Sequence, residues 1–432
     1  MKLSFETISI VGLGYIGLPT AAVFASRKIK VIGVDVNQHA VDTINRGQIH
    51  IIEPDLDMAV HAAVREGYLR ATTRPESADA FLIAVPTPFK EGPTGPHHPD
   101  MDYIESASKS IAAVLKTGDL VILESTSPVG ATEQMAAWLA EARPDLTFPQ
   151  THGESSDIRI AHCPERVLPG QVLRELVQND RVIGGMTPRC SDAAARLYKT
   201  FVQGECIITN ARTAEMCKLT ENSFRDVNIA FANELSVVCD QLGINVWELI
   251  KLANRHPRVN ILQPGPGVGG HCIAVDPWFI VSQSPSHARL IRCAREVNDA
   301  KPSWVVDKVK AAVSALLVTH SGRAIETVTV ACLGLSFKAN IDDTRESPAV
   351  DIVRALAREH PGLVLVAEPH LRCLPPSLHD ERVTLVSTEE AINRAEVIVM
   401  LVDHTSFKQI TPETIGSRAL VDTRGVWQTS GN

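Results

Sequence analysis

Cys272 follows a run of glycines in the segment 264–277, PGPGVGGHCIAVDP, and is the strongest candidate for chemistry. A glycine-rich loop brings backbone N–H groups close to a ligand and presents a thiol at a turn. If a helix starts at this cysteine, its N-terminal dipole lowers the thiol pKa and favours the nucleophilic thiolate. Asp276 follows at the spacing of one helical face. The segment therefore predicts a catalytic thiol, whereas the other eight of the nine cysteines are interpreted as small buried hydrophobic residues.

A polar stripe lies within a long helical pattern over residues 211–242, which Gly243 ends. Its members recur at i, i+3 and i+4 spacing: Glu215, Lys218, Asn222 and Arg225. A polar stripe is usually the solvated face of a helix, so spacing alone leaves a function open. The large apolar residues on the other faces are expected to be core: Phe224, Val227, Phe231, Leu235 and Val238.

A dinucleotide fingerprint, G-x-G-x-x-G, occupies residues 12–17 directly after a predicted strand and before a predicted helix. Gly12 permits the tight turn, Gly14 lets the backbone approach a pyrophosphate, and Gly17 allows close packing of helix on strand. Tyr15 and Ile16, between the glycines, are assigned to the same site. Asp35 ends the next strand, where it accepts hydrogen bonds from ribose hydroxyls and repels a 2′-phosphate, so NAD is favoured over NADP. The alternative is a glycine-rich turn without a ligand.

Three threonines follow or adjoin further strand ends. Thr87 lies in VPTP after the strand at 80–85, and Thr126 lies in EST after the strand at 119–123. Thr132 is expected at the start of the next helix, with its hydroxyl facing the cofactor. Ligands of open α/β sheets bind beyond the carboxyl ends of strands, which favours a cofactor or active-site role. Each threonine taken alone is as easily a turn or cap residue.

The order of predicted elements must position these residues. Strands alternate with helices from residue 7, pause in a helical middle, and resume from residue 327, which is typical of doubly wound parallel sheets. We expect two Rossmann-like domains joined by a central helical region. The predicted bounds are 1–205 for NAD binding, 206–318 for the helical part with the cysteine loop, and 319–432 for the second α/β domain.

Composition excludes several classes of protein. The net charge of -8 argues against a nucleic-acid-binding protein. No apolar run of about 18 residues occurs, so no membrane span is expected. Single, unpaired cysteines and the absence of a signal-peptide pattern predict a cytoplasmic protein. No metal centre is expected, because His271 and Cys272 have no partners at ligand spacing.

Taken together, the motifs resemble the UDP-glucose/GDP-mannose dehydrogenase family over essentially the whole chain. The segments that carry the resemblance are the fingerprint, ESTSPVG, CPERVLPG, EMCKLTENSFRDVN, GPGVGGHC and FKANIDDTRESP. The resemblance implies NAD as cofactor, a UDP-sugar as substrate, UDP binding by the last domain, and a homodimer formed through the long central helix. The segment NRHPRVN and the sequence Ala274-Val275-Asp276 are closest to members that oxidise UDP-N-acetyl-D-mannosamine.

The resemblance also implies roles for individual residues. Catalysis would rest on Cys272 as nucleophile, Lys218 and Asn222 as oxyanion donors, Thr126 and Asp276 as water holders, and Glu165 as an assisting base. Substrate would be lined by Arg166, Val167, Lys218, Asn222, Arg225, His256, Arg258, Gly269, Phe337, Lys338 and Arg424. Arg345 would reach the cofactor.

The implied reaction converts an alcohol into a carboxylate in two hydride transfers, through a thiohemiacetal and a thioester on Cys272. Its product, UDP-N-acetyl-D-mannosaminuronate, would serve a surface polysaccharide such as enterobacterial common antigen. The alternatives are another UDP-sugar (UDP-glucose or another UDP-N-acetylhexosamine), a two-electron 3-hydroxyacid-type dehydrogenase, and a non-catalytic NAD-binding protein. The sequence does not establish which hexose is used.

Overall fold

A computed structural model describes residues 5–51, 53–90, 98–168, 170–270, 272–320 and 322–427. The chain forms two compact units, Met1–Glu221 and Asn222–Asn432. The boundary between them falls inside one long helix, so each unit is described by itself.

The first unit is built on an eight-stranded sheet. Its strands are β1 (Thr7–Val11), β2 (Lys30–Val34), β3 (Leu69–Thr72), β4 (Ala80–Ile83), β7 (Leu120–Leu123), β8 (Arg159–His162), β9 (Arg181–Gly185) and β10 (Cys206–Asn210), and a small antiparallel pair, β5 (Phe89–Lys90) and β6 (His98–Pro99), lies outside the sheet. The order in the sheet is β10-β9-β8-β7-β4-β1-β2-β3. Neighbouring strands are parallel except β8 and β9, which pair antiparallel.

Helices cover both faces of this sheet. They are α1 (Gly17–Ser26), α2 (Gln38–Asn45), α3 (Leu56–Arg65), α4 (Asp102–Ala112), α5 (Ala131–Ala142), α6 (Pro149–His152), α7 (Val172–Gln178) and α8 (Pro188–Tyr198), with a 3₁₀ turn at Gly153–Ser155. The inner strands are buried on both sides, as in doubly wound sheets, whereas the edge strands β3 and β10 are partly exposed. One core packs α1, α3, α7 and α8 on one face, and a second packs α4 and α5 on the other.

The second unit begins within the long helix and ends in a smaller sheet. Its helical part comprises α9 (Ala211–Leu242, shared with the first unit), α10 (Val246–Ala253), α11 (Asp276–Gln283) and α12 (Arg289–Thr319). The sheet is wholly parallel, with the order β13-β12-β11-β14-β15. The strands are β11 (Val330–Leu333), β12 (Val364–Ala367), β13 (Val383–Leu385), β14 (Val397–Met400) and β15 (Ala419–Asp422). The remaining helices are α13 (Pro348–Glu359), α14 (Thr388–Arg394), α15 (Thr405–Lys408) and α16 (Pro412–Ile415), with 3₁₀ turns at Ile325–Thr327 and Pro376–Leu378.

The predicted fold class is confirmed, because two doubly wound α/β sheets flank a helical region. The long helix has the predicted bounds 211–242, and Gly243 adopts the left-handed conformation (φ 68°) that favours glycine after a helix. Strands β3, β9 and β10 were not predicted. The last of these is a half-exposed edge strand with polar residues, so it lacks the apolar run that marks buried strands.

The prediction that the large apolar residues of α9 belong to the core is wrong for three of them. Phe224, Phe231 and Val238 are 70%, 55% and 42% exposed. In the second unit the buried face of this helix is instead small and polar. Asp226 pairs with Arg295 of α12 at 2.7 Å, and Asn233 donates to Asn298 at 2.8 Å. Hydropathy alone misassigned the faces because this buried contact depends on hydrogen bonds rather than on apolar burial. Among the described residues, no helix combines the length and the apolar character needed to cross a bilayer.

Candidate active site

The turn between β1 and α1 has the geometry that the fingerprint predicts. Gly12 has φ 93°, and a Cβ there would lie 2.5 Å from the Ala84 carbonyl oxygen. A Cβ on Gly17 would clash with the carbonyl oxygen of Gly12. Gly14 is exposed, and nothing lies within 4 Å of the position of its missing Cβ. Two glycines are thus required by the protein itself, and the third leaves open space above the turn for a ligand.

Asp35 lies one residue beyond β2 and is oriented by this turn. One carboxylate oxygen accepts the Leu13 N–H at 2.9 Å, and the other accepts the Asn37 N–H at 2.9 Å. Each oxygen keeps a further lone pair, which suits the acceptance of hydrogen bonds from a ribose. Ile16 is the N-cap of α1, and Tyr15 packs on the first core. The acceptor oxygens of Asp35 and the open space at Gly14 therefore fit a dinucleotide.

Thr87 and Thr126 are brought together, because they follow the adjacent strands β4 and β7. The Thr87 hydroxyl donates to the Thr126 carbonyl oxygen at 2.5 Å. Both threonines are half-buried, so their side chains border the carboxyl edge of the sheet without being enclosed.

The prediction that the Thr132 hydroxyl faces the cofactor is wrong in this structure. Thr132 does lie in the first turn of α5, but it is fully buried, and its hydroxyl donates to Glu215 at 2.6 Å. Glu215 also accepts the N–H groups of Gly130 at 2.6 Å and Thr132 at 2.8 Å. The carboxylate therefore caps α5 and ties it to α9. The sequence pattern placed Glu215 on a polar stripe but gave no sign of its partner 83 residues away.

Glu165 is held in a buried ionic cluster rather than poised as a base. One of its oxygens contacts Arg181 at 2.7 Å, and the other accepts the Arg166 N–H at 2.7 Å. Arg181 also lies 4.0 Å from Glu124, whose pKa is raised by burial to about 7. Because both Glu165 oxygens are engaged inside the protein, the structure does not support its predicted role as a base.

Arg166 and Val167 lie beside this cluster. The Arg166 guanidinium pairs with Glu221 of α9 at 2.6 Å, and it is partly exposed. Val167 packs on the first core. Glu124, Arg181 and Tyr198 complete the cluster. No local sequence pattern marks their contacts, because the three residues are far apart along the chain. Tyr198 donates its hydroxyl to Glu124 at 2.5 Å.

In the second unit, three predicted catalytic residues are joined by hydrogen bonds. Asn222 donates its side-chain amide to Asp276 at 2.5 Å. The Asp276 N–H in turn donates to the Cys272 carbonyl oxygen at 2.8 Å. Asp276 is 3% exposed, whereas Cys272 and Asn222 are half-buried. The Asp276 carboxylate and the Asn222 amide are therefore held together, and the backbone of Cys272 is tied to Asp276 within one turn of chain.

The helix that follows Cys272 starts at Asp276 and not at the cysteine itself. The chain turns over residues 272–275, and α11 starts at Asp276. The N–H groups of Val275 and Asp276 both point back to the Cys272 carbonyl oxygen, at 3.0 and 2.8 Å. Cys272 thus opens a turn that leads into α11 rather than standing at the first residue of the helix. His271 lies outside the described residues.

The glycines before Cys272 pack against other parts of the second unit, because protein occupies the side on which each would carry a Cβ. A Cβ on Gly267 or Gly269 would meet Pro348, and one on Gly270 would meet the Phe337 ring. A Cβ on Gly265 would lie 2.6 Å from the Arg424 guanidinium. These glycines allow the second α/β domain to pack directly on the cysteine loop.

The remaining predicted residues are mostly exposed. Arg225, His256, Arg258, Lys338 and Arg345 lie at the surface of the described structure. Arg345 pairs with Asp343 at 2.6 Å, and Arg424 pairs with Asp403 at 2.6 Å. Of the residues assigned to substrate, Phe337 and Arg424 lie against the cysteine loop, which contains Gly269.

Three family models match the chain. They describe the UDP-glucose/GDP-mannose dehydrogenase family: its NAD binding domain at residues 6–202, its central domain at 212–300, and its UDP binding domain at 331–429.

Curated relatives match along nearly their full length. A UDP-N-acetyl-D-mannosamine dehydrogenase of Yersinia pestis is 70% identical, covering 99% of this chain and 100% of its own. An NDP-N-acetyl-D-galactosaminuronic acid dehydrogenase of Ralstonia solanacearum is 66% identical, covering 99% of this chain and 97% of its own.

Solved structures share the fold. The UDP-D-ManNAc dehydrogenase of Pyrococcus horikoshii superposes with a TM-score of 0.85 at 38% identity, over 98% of this chain and 96% of its own. A UDP-N-acetyl-mannosamine dehydrogenase of Staphylococcus aureus gives a TM-score of 0.83 at 42% identity, over 98% and 96%.

Proposed function

Because this chain belongs to the UDP-glucose/GDP-mannose dehydrogenase family, we propose that it oxidises the C6 alcohol of UDP-N-acetyl-D-mannosamine to the carboxylate, with NAD as oxidant. The observation that carries the proposal is the bonded group of Cys272, Asp276 and Asn222. A two-electron dehydrogenase or a non-catalytic NAD-binding protein has no need of such a thiol site. Relatives named for this substrate, at 66–70% identity, support the choice of sugar.

The oxidation removes four electrons, so each substrate reduces two NAD. NAD, when bound at the turn of residues 12–17 and Asp35, accepts a hydride from the carbon that is being oxidised. We propose that Lys218 holds the C6 oxygen as its proton leaves, and that Asn222 donates to the same oxygen. Donors aimed at a developing oxyanion are worth roughly 3–4 kcal/mol each. Asn222 already points to Asp276, which places its amide beside the cysteine loop.

Cys272 makes the second oxidation possible. An aldehyde carbon cannot release another hydride until a nucleophile has added to it. The thiolate adds to the carbonyl carbon and forms a thiohemiacetal. This becomes a thioester when its carbon gives a hydride to the second NAD and its hydroxyl group gives up a proton. Water then attacks the thioester, which releases the carboxylate and returns the thiol. We propose that Thr126 and Asp276 orient this water.

The three family matches support a division of labour along the chain. We propose that residues 1–205 bind NAD, residues 206–318 carry the cysteine loop, and residues 319–432 bind UDP. Substrate would be gripped by Arg166, Val167, Arg225, His256, Arg258, Gly269, Phe337, Lys338 and Arg424, and Arg345 would reach the cofactor. The exposed arginines and Lys338 supply the positive charge that a diphosphate requires.

We propose a homodimer formed through α9. Within the second unit the helix exposes Phe224, Phe231, Val238 and Leu242, spaced at seven, seven and four residues, so they share one face. Exposed large apolar side chains in a row are typical of a subunit interface. None of the nine cysteines, all of which lie in the described part of the chain, forms a disulfide, which supports a cytoplasmic location. The product would serve surface polysaccharide synthesis, such as that of enterobacterial common antigen.

A panel of UDP-sugars tests the substrate. We expect kcat/KM to be highest for UDP-N-acetyl-D-mannosamine among the N-acetylmannosamine, N-acetylgalactosamine, N-acetylglucosamine and glucose derivatives. A higher value for UDP-N-acetylgalactosamine would instead favour the activity of the Ralstonia relative. A higher value for UDP-glucose would overturn the choice of an N-acetylated sugar and leave only the family.

A further inference from the structure

The loop that follows β11, residues 334–340, carries Phe337 and Lys338 and is here called the lysine loop. Gly334 turns it away from the sheet with φ 97°, and Asn340 ends it in the left-handed conformation with φ 63°. Within it, the Ser336 hydroxyl donates to the Lys338 carbonyl oxygen at 2.7 Å. Lys338 itself is exposed, so its ammonium is available while its backbone is anchored.

Glu368, directly after β12, holds the first half of the lysine loop. One of its carboxylate oxygens accepts the N–H groups of Leu335 at 2.7 Å and Ser336 at 3.2 Å. The same oxygen accepts a hydrogen bond from His404 Nε2 at 3.0 Å, and the other oxygen accepts one from the His370 backbone N–H at 3.0 Å. Burial by itself raises the pKa of this carboxyl, but the hydrogen bond from His404 and those from the backbone lower it below its ordinary value. Glu368 is therefore a buried carboxylate.

His404, four residues after β14, holds the other end of the lysine loop. Its Nδ1 faces the Asn340 N–H at 2.9 Å, so this nitrogen must be the acceptor. Its Nε2 consequently carries the proton and donates to Glu368. The side chain is fully buried and packs edge-on against Phe407. Asn340 is fixed a second time, because its amide exchanges two hydrogen bonds with Thr405, at 2.9 and 3.0 Å.

Glu368, His370 and His404 offer atoms within 4.8 Å of one another, a grouping that can hold a metal ion. The hydrogen bonds suggest another use. Both oxygens of Glu368 already accept N–H groups, and the one lone pair of the His404 ring accepts the Asn340 N–H. The donors that surround these atoms would repel a cation. What this group binds is the backbone of the lysine loop.

We propose that Glu368 and His404 are positioning residues for substrate binding, which act by fixing the lysine loop so that Lys338 presents its ammonium to the UDP moiety. The inference rests on the proposed function through the assignment of Lys338 to substrate. The same loop supports the cysteine loop, since the Phe337 ring lies against Gly270. Glu368 and His404 thus connect the carboxyl edge of the second sheet to the lysine loop and, through Phe337, to the cysteine loop.

Two substitutions of His404 separate its two hydrogen bonds. Asparagine places its amide oxygen near the position of Nδ1, so His404→Asn retains an acceptor for the Asn340 N–H. Glutamine places its amide near Nε2, so His404→Gln retains the donor to Glu368 but loses the acceptor. We expect His404→Gln to raise both the Kd for UDP and the KM for the UDP-sugar about tenfold. The reason is the loss of one hydrogen bond, the one from the Asn340 N–H, which anchors the loop. His404→Asn should stay within about threefold of the wild type. In both variants kcat and the Kd for NAD should change less than about threefold.

The decisive measurement is a double-mutant cycle with Lys338→Ala, read as the Kd of UDP by calorimetry on the full-length chain. If His404 acts through Lys338, then His404→Gln has no further effect in the Lys338→Ala background. Equal tenfold losses in both backgrounds, or His404→Asn as weak as His404→Gln, would overturn the proposal.

A second variant covers the case in which His404→Gln does not fold. Ser336→Ala removes the bond to the Lys338 carbonyl oxygen and the longer contact, at 3.4 Å, between the Ser336 hydroxyl and His404 Nε2, but it leaves the bond between His404 and Glu368. It should weaken UDP binding about threefold only when Lys338 is present. An equal loss without Lys338 would contradict the inference. Turnover of UDP-N-acetyl-D-mannosamine by the wild type, measured alongside, tests the proposed function separately, because UDP binding does not depend on the oxidation.

Discussion

The two units each carry a glycine-rich segment next to predicted site residues, but the glycines serve different purposes. In the first unit, Gly14 faces open space, and only Gly12 and Gly17 are required by nearby backbone. In the second unit, every glycine between residues 265 and 270 is covered by a side chain or backbone of the same unit. The first segment is shaped to receive a ligand, and the second is shaped to receive the protein's own Phe337, Pro348 and Arg424.

This difference shows that glycine content alone does not identify a ligand cradle. What distinguishes the two segments is the direction in which each missing Cβ would point. The cysteine loop gains a fixed position from its glycines, and its chemistry comes from Cys272, Asp276 and Asn222.

The largest effect on activity is expected from removing the thiol of the cysteine loop, here called the filled loop because protein covers its glycines. Cys272→Ala should lower steady-state acid formation about a thousandfold or more, because no nucleophile remains to form the thiohemiacetal. The Kd for NAD should not change, since the open turn lies in the other unit. Cys293→Ala, at an exposed cysteine of α12, is the matched control and should retain full activity. Near wild-type turnover by Cys272→Ala would mean that the filled loop has no catalytic role.

Adding one methyl group to the filled loop tests the packing directly. Gly269→Ala would press its Cβ into the Glu346 carbonyl oxygen and the Pro348 ring. We expect a loss of roughly 3 kcal/mol in the free energy of unfolding, in the range of overpacked cores. Urea denaturation monitored by fluorescence measures this loss. A fully stable variant would show that the loop has room to move.

Glu124 and Glu368 provide a second comparison between the two units. Each is buried and lies directly after a strand, yet the pKa of Glu124 is raised and the pKa of Glu368 is lowered. Burial raises the pKa of Glu124 to about 7, so the stability of the wild type should fall as pH rises from about 4.5 to 7. Burial also acts on Glu368, but its hydrogen bonds lower the pKa, so its contribution should be lost as pH falls below the ordinary value. The opposite directions follow from the hydrogen bonds, because few donors reach the Glu124 carboxyl and several N–H groups reach that of Glu368.

Replacing each glutamate by glutamine should change the pH dependence of unfolding in opposite ways. Glu124→Gln should gain about 2–3 kcal/mol relative to the wild type between pH 5 and pH 8. Glu368→Gln should be less stable than the wild type at pH 7, and the difference should narrow in acid. Thermal denaturation across this pH range measures both, and parallel curves for the two variants would contradict the assignment.

Features that depend on neighbouring residues could be predicted from the sequence, whereas contacts between distant residues could not. Glycine spacing and hydrophobic period gave the fingerprint geometry and the bounds of α9, because these depend on neighbours along the chain. The burial of Glu215 under α5 and the Glu124–Arg181 contact join residues tens of positions apart, so no local pattern marks them. The exposure of Phe224 runs against its hydropathy, because hydropathy does not say which face of a helix the rest of the chain covers.

The smallest effect is expected at the open turn. In Gly14→Ala the new methyl group meets no protein atom, so the free energy of unfolding should change by less than about 0.5 kcal/mol. The affinity for NAD should nevertheless fall about tenfold, because the methyl group occupies the space where the pyrophosphate approaches the backbone. Calorimetric titration with NAD measures this affinity. Unchanged binding would remove the distinction between the open and the filled segment.

Two successive oxidations of the same carbon, the second of them through Cys272, determine how much NADH forms from each sugar nucleotide. This amount can be measured when the wild-type protein consumes a limiting quantity of UDP-N-acetyl-D-mannosamine in excess NAD. We expect two NADH per sugar nucleotide, with the carboxylate as the product. One NADH per sugar nucleotide, with release of the aldehyde, would show that the second oxidation does not take place.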